Sequence, residues 1–269
     1  MICAMEQFWH ALCKYPIRKF NFKVTKAMEN TIYIGLSKQV ALQQQMSIVS
    51  NNIANVNTPG YRADKMLFEE YVTSPKPTNE AISQVLDYGQ YKDTQAGTVS
   101  FTGNPLDVAL QGPGFFLIET AAGTQYSRAG NFALNNNREL VNASGNPVLD
   151  NGEGRITIPP EVKEITITAN GEIVTDRGAA GQLGMVEFAN VQNLRPTGSG
   201  FYTPVGGEVA APAENTIAAQ NSLEGSNVQA VLEMTDLIEI SRQFQSMQRN
   251  LQNEHDRQRS TIQKLTEMK

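Results

Sequence analysis

The chain has 269 residues, of which 40% are hydrophobic and 18% charged, with a net charge of −5 and a pI of about 5.2. Such a length supports one or two domains with a real core. The acidic balance and the lack of basic runs exclude an electrostatic footprint for nucleic acid, and no apolar run approaches the roughly 18 residues of a membrane-spanning helix.

Residues 1–27, "MICAMEQFWHALCKYPIRKFNFKVTKA", mix aromatics with Lys14, Arg18, Lys19 and Lys23. A cleaved signal peptide places its positive charges before the apolar region and ends in small residues. Here that order is reversed, so the segment reads as an extension upstream of Met28 on which no function rests. Both cysteines, Cys3 and Cys13, lie within it, which excludes a disulfide framework and a cysteine-based zinc finger. His10 sits three residues before Cys13, but without a third or fourth ligand nearby no metal site is expected.

Residues 28–60 are expected to form an N-terminal helix. Leu42, Met46, Val49, Ile53 and Val56 follow one another at spacings of 4, 3, 4 and 3, and Ile32, Leu36 and Val40 extend the stripe upstream. That is heptad spacing. The helix ends in "SNNIANVNTPGYRA", where four asparagines occur within seven residues. Asparagine competes for backbone hydrogen bonds and weakens a helix interior. Pro59 then biases Thr58 to an extended conformation, and Gly60 permits positive φ.

Residues 61–93 are polar and read as an extended linker segment. A central β domain is expected over 94–203, where short β-rich runs such as "FFLIET", "EITIT" and "EIVT" recur between turn signals. Asn170-Gly171 is the strongest hairpin signal, with "ASGNP" and "DNGEG" as further turns. "QGPGFF" also reads as a turn before a strand. A return linker, 204–225, contains the loose stretch "TPVGGEVAAPAEN".

The last segment, 226–269, reads as a second helix with Ser226 or Asn227 as its N-cap. Leu237, Ile240, Phe244, Met247 and Leu251 repeat the spacing 3, 4, 3, 4, and after polar occupants Leu265 and Met268 resume it. About 40 residues of helix span roughly 60 Å, several times the usual length. Such a helix implies a coiled coil or bundle with other chains. The alternative is a hairpin formed by the two end helices of one chain. The fold class is therefore α+β: coiled-coil helices at both ends around a central all-β domain, sandwich-like or barrel-like.

Motifs of catalysis are missing. There is no phosphate-binding loop, no dinucleotide fingerprint, no nucleophile elbow and no HExxH pair. Glu69, Glu70, Asp107, Glu187, Glu233 and Asp236 supply carboxylates that could pair as in a glycosidase, yet Glu233, Asp236 and Glu239 fit a solvated helix face. Interfacial membrane helices are rich in basic residues, whereas Lys38 is the only one between Leu36 and Tyr61. The residues read as structural, with no cofactor and no catalytic site.

Three blocks carry a family resemblance. "SNNIANVNTPGYRA" resembles the signature of the flagellar axial proteins that build the bacterial rod and hook. "TGNPLDVALQGPGFF" with "YSRAGNFALNNNRELVNASGNPVLD" resembles their shared central motif, and "LEGSNVQAVLEMTDLI" resembles the start of their C-terminal helix. The size and the opening "MENTIYIGLSKQ" are most similar to the proximal-rod members. The resemblance implies a non-enzymatic subunit of the rod, which spans the periplasm. Its terminal helices would pack as coiled coils in an inner tube around a channel, with the β domain outside. The implied partners are other rod subunits, copies of itself and the flagellar type III export apparatus, which uses no cleaved signal peptide. A distal-rod or hook subunit is the alternative within the family. A peptidoglycan hydrolase is the alternative of another class, and it would need an acid–base pair in the β domain. On this reading Asn51, Asn52, Asn55 and Asn57 set register in a many-chain interface, or else cap a fraying end. Asn57 would also help turn the chain out of the helix before Pro59, with Pro59, Gly60 and Tyr61 completing the motif.

Overall fold

A computed structural model describes residues 22–73, 82–162 and 164–267, with side chains described from Ile32 onward apart from 68–73 and 82–88. Cys3, His10 and Cys13 lie outside the described residues. The first helix, α1 (Phe22–Ala54), begins before Met28. No proline or glycine stands between Pro16 and Gly35 to stop it there. It ends where the asparagine cluster supplies competing hydrogen bonds: the Asn55 side chain donates to the Asn51 carbonyl at 2.8 Å and accepts from the Thr58 hydroxyl at 3.1 Å.

The segment expected to run extended as a linker holds β1 (Asp64–Thr73) and β2 (Ile82–Lys92), which form a two-stranded sheet. Next come β3 (Val99–Phe101), β4 (Val108–Gln111), β5 (Phe115–Thr120) and β6 (Gly123–Ser127). They are followed by β7 (Ala133–Leu134), β8 (Leu140–Val141), β9 (Ile165–Ile167), β10 (Glu172–Thr175) and β11 (Gly178–Gln182). β12 (Met185–Glu187), β13 (Leu194–Gly198) and β14 (Phe201–Pro204) complete the span expected to be β. The stretch expected as a return linker also carries strands: β15 (Ala211–Pro212), β16 (Ile217–Gln220) and β17 (Ser222–Glu224). These are only two to four residues long and rich in small residues, so they show no period of two. The last helix is α2 (Ala230–Glu267), 38 residues long.

The largest sheet has the order β13-β14-β6-β5-β12-β15, and all its pairings are antiparallel. Around it stand the three-stranded sheet β11-β10-β9 and the pairs β16-β4, β17-β3 and β7-β8. The expected hairpin at Asn170-Gly171 joins β9 to β10, with Gly171 at φ +78 and its N–H donating to the Thr168 carbonyl at 2.9 Å. That is a three-residue loop closed by glycine in the left-handed region. In "ASGNP" the Asn142 carboxamide accepts from the backbone of Ser144 and Asn146, and in "DNGEG" Asp150 accepts from Gly152 and Gly154.

β5 explains where the core sits. Its first four residues are all buried, and alternate side chains point to opposite faces of a strand. Phe116 and Ile118 join one apolar cluster with Val108, Leu110, Phe132 and Leu140, while Phe115 and Leu117 join a second with Leu149, Val186, Phe188 and Tyr202. Aromatic pairs tighten both: Phe116 meets Phe132 edge-on at 5.0 Å, and Tyr126 meets Phe188 at 4.8 Å.

Contacts divide the chain into two compact units. The larger comprises residues 44–68 and 87–242: the last turns of α1, the β strands and the first turns of α2. The other combines earlier turns of α1, the distal parts of β1 and β2, and α2 from Gln243 onward.

Candidate assembly interface

The expected stripe on α2 coincides with its least exposed line. Positions 233, 237, 240, 244, 247, 251, 254 and 258 are sheltered, while most residues between them are exposed. Glu254 and Gln258 are the polar occupants that continue the repeat. On α1, Leu42 and Val49 are buried and Met46 and Ile53 half-buried, and Val56, just past its end, is half-buried as well. Leu36 and Val40, expected to extend the stripe upstream, are instead exposed.

The reason is a shift of the buried line by part of a turn. Gly35, Leu42 and Val49 recur every seven residues, as do Ala41 and Ile48, and all five are buried. Gln45 and Asn52 hold the intervening positions. Counting apolar side chains alone skips a glycine and two amides, so the sequence pattern drifted onto Leu36 and Val40. Gly35 matters because a Cβ there would lie 2.8 Å from Leu251 Cδ2 and 3.5 Å from Met247 Sδ. In the smaller unit the two helices thus approach where one of them lacks a side chain. In the larger unit Asn52 reaches Glu233. Each unit thus holds a contact between α1 and α2, of the kind the intrachain hairpin alternative requires.

Large apolar side chains remain uncovered. Val231, Leu232, Met234 and Ile238 on α2 are between 51% and 77% exposed. Farther along α2, Ile262 and Leu265 are exposed, and on α1 so are Tyr33, Leu36 and Val40. Val231, Met234 and Ile238, at spacings of three and four, form a face of their own. That pattern was present in the sequence but was overshadowed by the longer stripe.

The asparagines are not equivalent. Asn52 is 1% exposed and makes four bonds. Its Oδ1 accepts from the Asp64 N–H at 3.1 Å and from the Tyr61 hydroxyl at 3.2 Å. Its Nδ2 donates to the Asp64 carbonyl at 3.0 Å and to Glu233 Oε2 at 3.3 Å. One amide thereby clamps the end of α1 to the start of β1 and to the first turns of α2. Asn51 and Asn57 are exposed. Burial, then the nearby Asp64 carboxylate, pushes the Tyr61 phenol well above its usual range, and burial raises Glu233 above an ordinary glutamate.

Beyond Asn52 the turn "TPGYRA" runs into a buried ionic cluster that the sequence reading did not single out. Gly60, at φ +67, donates to the Glu224 carbonyl at 2.8 Å, and a Cβ there would lie 2.5 Å from the Arg128 carbonyl carbon. Arg62 Nη2 lies 2.8 Å from Glu224 Oε1. Arg128 binds Glu224 Oε2 through Nε at 2.9 Å and Nη2 at 2.7 Å, and donates to the carbonyls of Leu110, Gly112 and Gly114. Burial, then the second guanidinium, lowers Arg62 from its usual value. Lys92 pairs with Asp64 at 2.8 Å and lies over the Tyr202 ring at 5.1 Å. Burial pushes the Tyr202 phenol up to about 12.

Neither expected N-cap opens α2 directly, since the helix starts at Ala230. Asn227 instead accepts from the Ala63 N–H at 2.7 Å and donates to the carbonyls of Asp93 and Gln95. Among the sequence's candidate carboxylates, Asp107 accepts from Thr102 and Asn104, Glu187 from Thr216 and Asn215, and Glu233 from Asn52. The side chains of Glu69 and Glu70 lie outside the description. No group of three or more potential metal ligands occurs among the described residues, and none of their helices is long and apolar enough to cross a membrane.

Comparison with known proteins accounts for both ends and the centre. Residues 32–62 match the family described as "Flagella basal body rod protein", residues 109–175 the "Flagellar hook protein FlgE/F/G D1 domain", and residues 219–264 the "Flagellar basal body rod FlgEFG protein C-terminal". The flagellar basal-body rod protein FlgF of Caulobacter vibrioides is 33% identical over 241 residues, covering 88% of this chain and 98% of that protein. FlgG of Bacillus subtilis is 34% identical over 244 residues, covering 81% and 92%. The hook-basal body complex protein FlhP of the same organism is 30% identical over 241 residues, covering 78% and 90%. With relatives matched along nearly their whole length, and the asparagine turn, central strands and last helix each falling in a matched segment, the chain belongs to the flagellar basal-body rod protein family.

Proposed function

We propose that this chain is a structural subunit of the flagellar basal-body rod, in its proximal part, and that it polymerises through its terminal helices with copies of itself and with other rod subunits. On this reading the helices line a hollow shaft spanning the periplasm, and the subunit leaves the cell body through the flagellar type III export apparatus without a cleaved signal peptide. The observation that carries it is the uncovered apolar face of α2. A chain that buries only Ile240 among the 38 residues of a helix leaves most of that helix for partners. Each such side chain gains roughly 1.5–3 kcal/mol on full burial, enough in sum to drive association.

Replacing Met234 and Ile238 together by aspartate tests this, since both are exposed in the single chain. The variant is expected to fold and be exported but to be missing from purified basal bodies, leaving cells non-motile. Motile cells with the variant in their rods would overturn the proposal.

A further inference from the structure

The strand β3 is an apolar edge that its own chain leaves open. Among the described strands it pairs only with β17. The Thr102 N–H donates to the Asn221 carbonyl and the Gly225 N–H to the Thr98 carbonyl, each at 2.8 Å. These bonds turn Thr98, Ser100 and Thr102 towards β17, so the backbone N–H and C=O groups of Val99 and Phe101 lie on the open edge. The side chains of Val99 and Phe101 share one face and are 45% and 79% exposed. Natural proteins blunt such edges with charge, yet no charged residue stands between Asp93 and Asp107. The turn that follows is rigid: Thr102 Oγ1 and Asn104 Nδ2 donate to the Asp107 carboxylate at 2.7 and 2.9 Å. An exposed aromatic held in place in this way docks at low entropic cost.

A hollow that fits it lies elsewhere in the same compact unit. A cavity of about 380 Å³ is lined by Arg62, Lys92, Ala96, Pro113, Phe115 and Val191, among others. The cations Arg62, Arg128 and Lys92 are matched there by Glu224, Asp64 and Asp93. No buried side-chain nitrogen or oxygen among the described residues lacks a partner. Its occupant is therefore uncharged. Ala96, Pro113, Phe115 and Val191 give it an apolar wall, and Arg128 already lies over the Phe115 ring at 5.6 Å. Aromatic faces attract such cations, and an apolar cavity of about 150 Å³ is enough to hold benzene. Phe101 is not among the lining residues of its own chain.

We propose that Phe101 of one copy inserts into this cavity of a second copy. Knob and hollow occupy different surfaces of one chain, so the contact is head-to-tail and extends into a ring or filament instead of stopping at a dimer. It goes beyond the helix-mediated polymerisation proposed above and can fail without it.

Sedimentation velocity isolates the contact in full-length protein carrying Met234→Asp and Ile238→Asp, which disable the α2 face. This parent should form species larger than dimers as its concentration rises. Phe101→Ala removes the knob, and Ala96→Leu fills the hollow from its wall; both positions are exposed, so the core is undisturbed. Each change should weaken self-association about thirtyfold or more, the loss expected for a hot-spot aromatic. Mixed in equal amounts, the two variants should associate again but stop at dimers, since one keeps only the hollow and the other only the knob. A parent that stays monomeric would overturn self-docking and leave Phe101 to a different protein. Association untouched by either change, or a mixture that remains monomeric, would overturn the pairing of knob and hollow. With the α2 face disabled throughout, none of these outcomes bears on the helices, which incorporation into basal bodies tests.

Discussion

The strand β5 and the helix α2 show the two ways this chain treats apolar residues. Four of the six residues of β5 are buried, on both faces of the strand, against partners from its own chain. In α2 one residue of 38 is buried, although leucine, isoleucine, methionine and phenylalanine recur along its length. The β strands bury two apolar clusters against one another, whereas the long helix leaves its stripe half covered and a second apolar face exposed.

The sharpest test of that contrast is a truncation in the core. Phe116 is fully buried and packs edge-on against Phe132. Phe116→Ala should cost about 3–5 kcal/mol, read as a lower midpoint in urea for the full-length chain. A midpoint shift matching only a surface change would mean that β5 does not anchor the core.

Next in size is Asn52. Removing its amide strands the Asp64 N–H and carbonyl and the Tyr61 hydroxyl. A buried group left without its partner costs about 1–3 kcal/mol, so Asn52→Ala should lower the denaturation midpoint clearly. Asn51→Ala, at an exposed position, should change stability by less than about 0.5 kcal/mol. Equal effects at the two positions would show that the asparagines act as a group and not through the single clamp. The aspartate pair at Met234 and Ile238 belongs with the small effects. The free chain should unfold within about 0.5 kcal/mol of wild type, and a larger loss would mean that this face is already covered within the chain.

These positions also show what could be read from residues alone. The heptad line of α2 was legible because Leu237, Ile240, Phe244, Met247 and Leu251 are all apolar, and the hairpin at Asn170-Gly171 because its glycine is required at positive φ. The buried line of α1 was legible only in part, since Gly35, Gln45 and Asn52 occupy it and hydropathy does not count them. The strands β15 to β17 are too short to show a period of two. The Arg62–Glu224–Arg128 cluster was illegible because its members are 66 to 162 residues apart along the chain, with the pairing Arg128–Glu224 separated by 96. Long-range pairing of charges has no local signature. Asparagine raised the right question, and the answer depended on which amide the fold encloses.

The smallest expected effect lies at the same clamp and is a dependence on pH. Burial is the main cause that raises Glu233 above its ordinary value of 4.5, with Asp236 adding to it and the Asn52 hydrogen bond and Lys65 opposing it. A carboxyl whose folded-state pKa is raised binds its proton more tightly in the folded protein than in the unfolded one. Its contribution to stability is therefore fully present below pH 4.5 and is lost as pH rises through the raised value. Glu233→Gln keeps an acceptor for Asn52 but cannot ionise, while Asp236 and Lys65 titrate in both proteins. The thermal midpoint of the Gln variant, measured relative to wild type, should accordingly rise as pH goes from about 4 to 7 and then level off. Because the carboxyl is partly open to solvent, the rise should be smaller than the loss from Asn52→Ala. A difference that is flat across the range, or that falls with pH, would mean that Asn52 and Lys65 outweigh burial and that the clamp holds Glu233 as a stabilising anion.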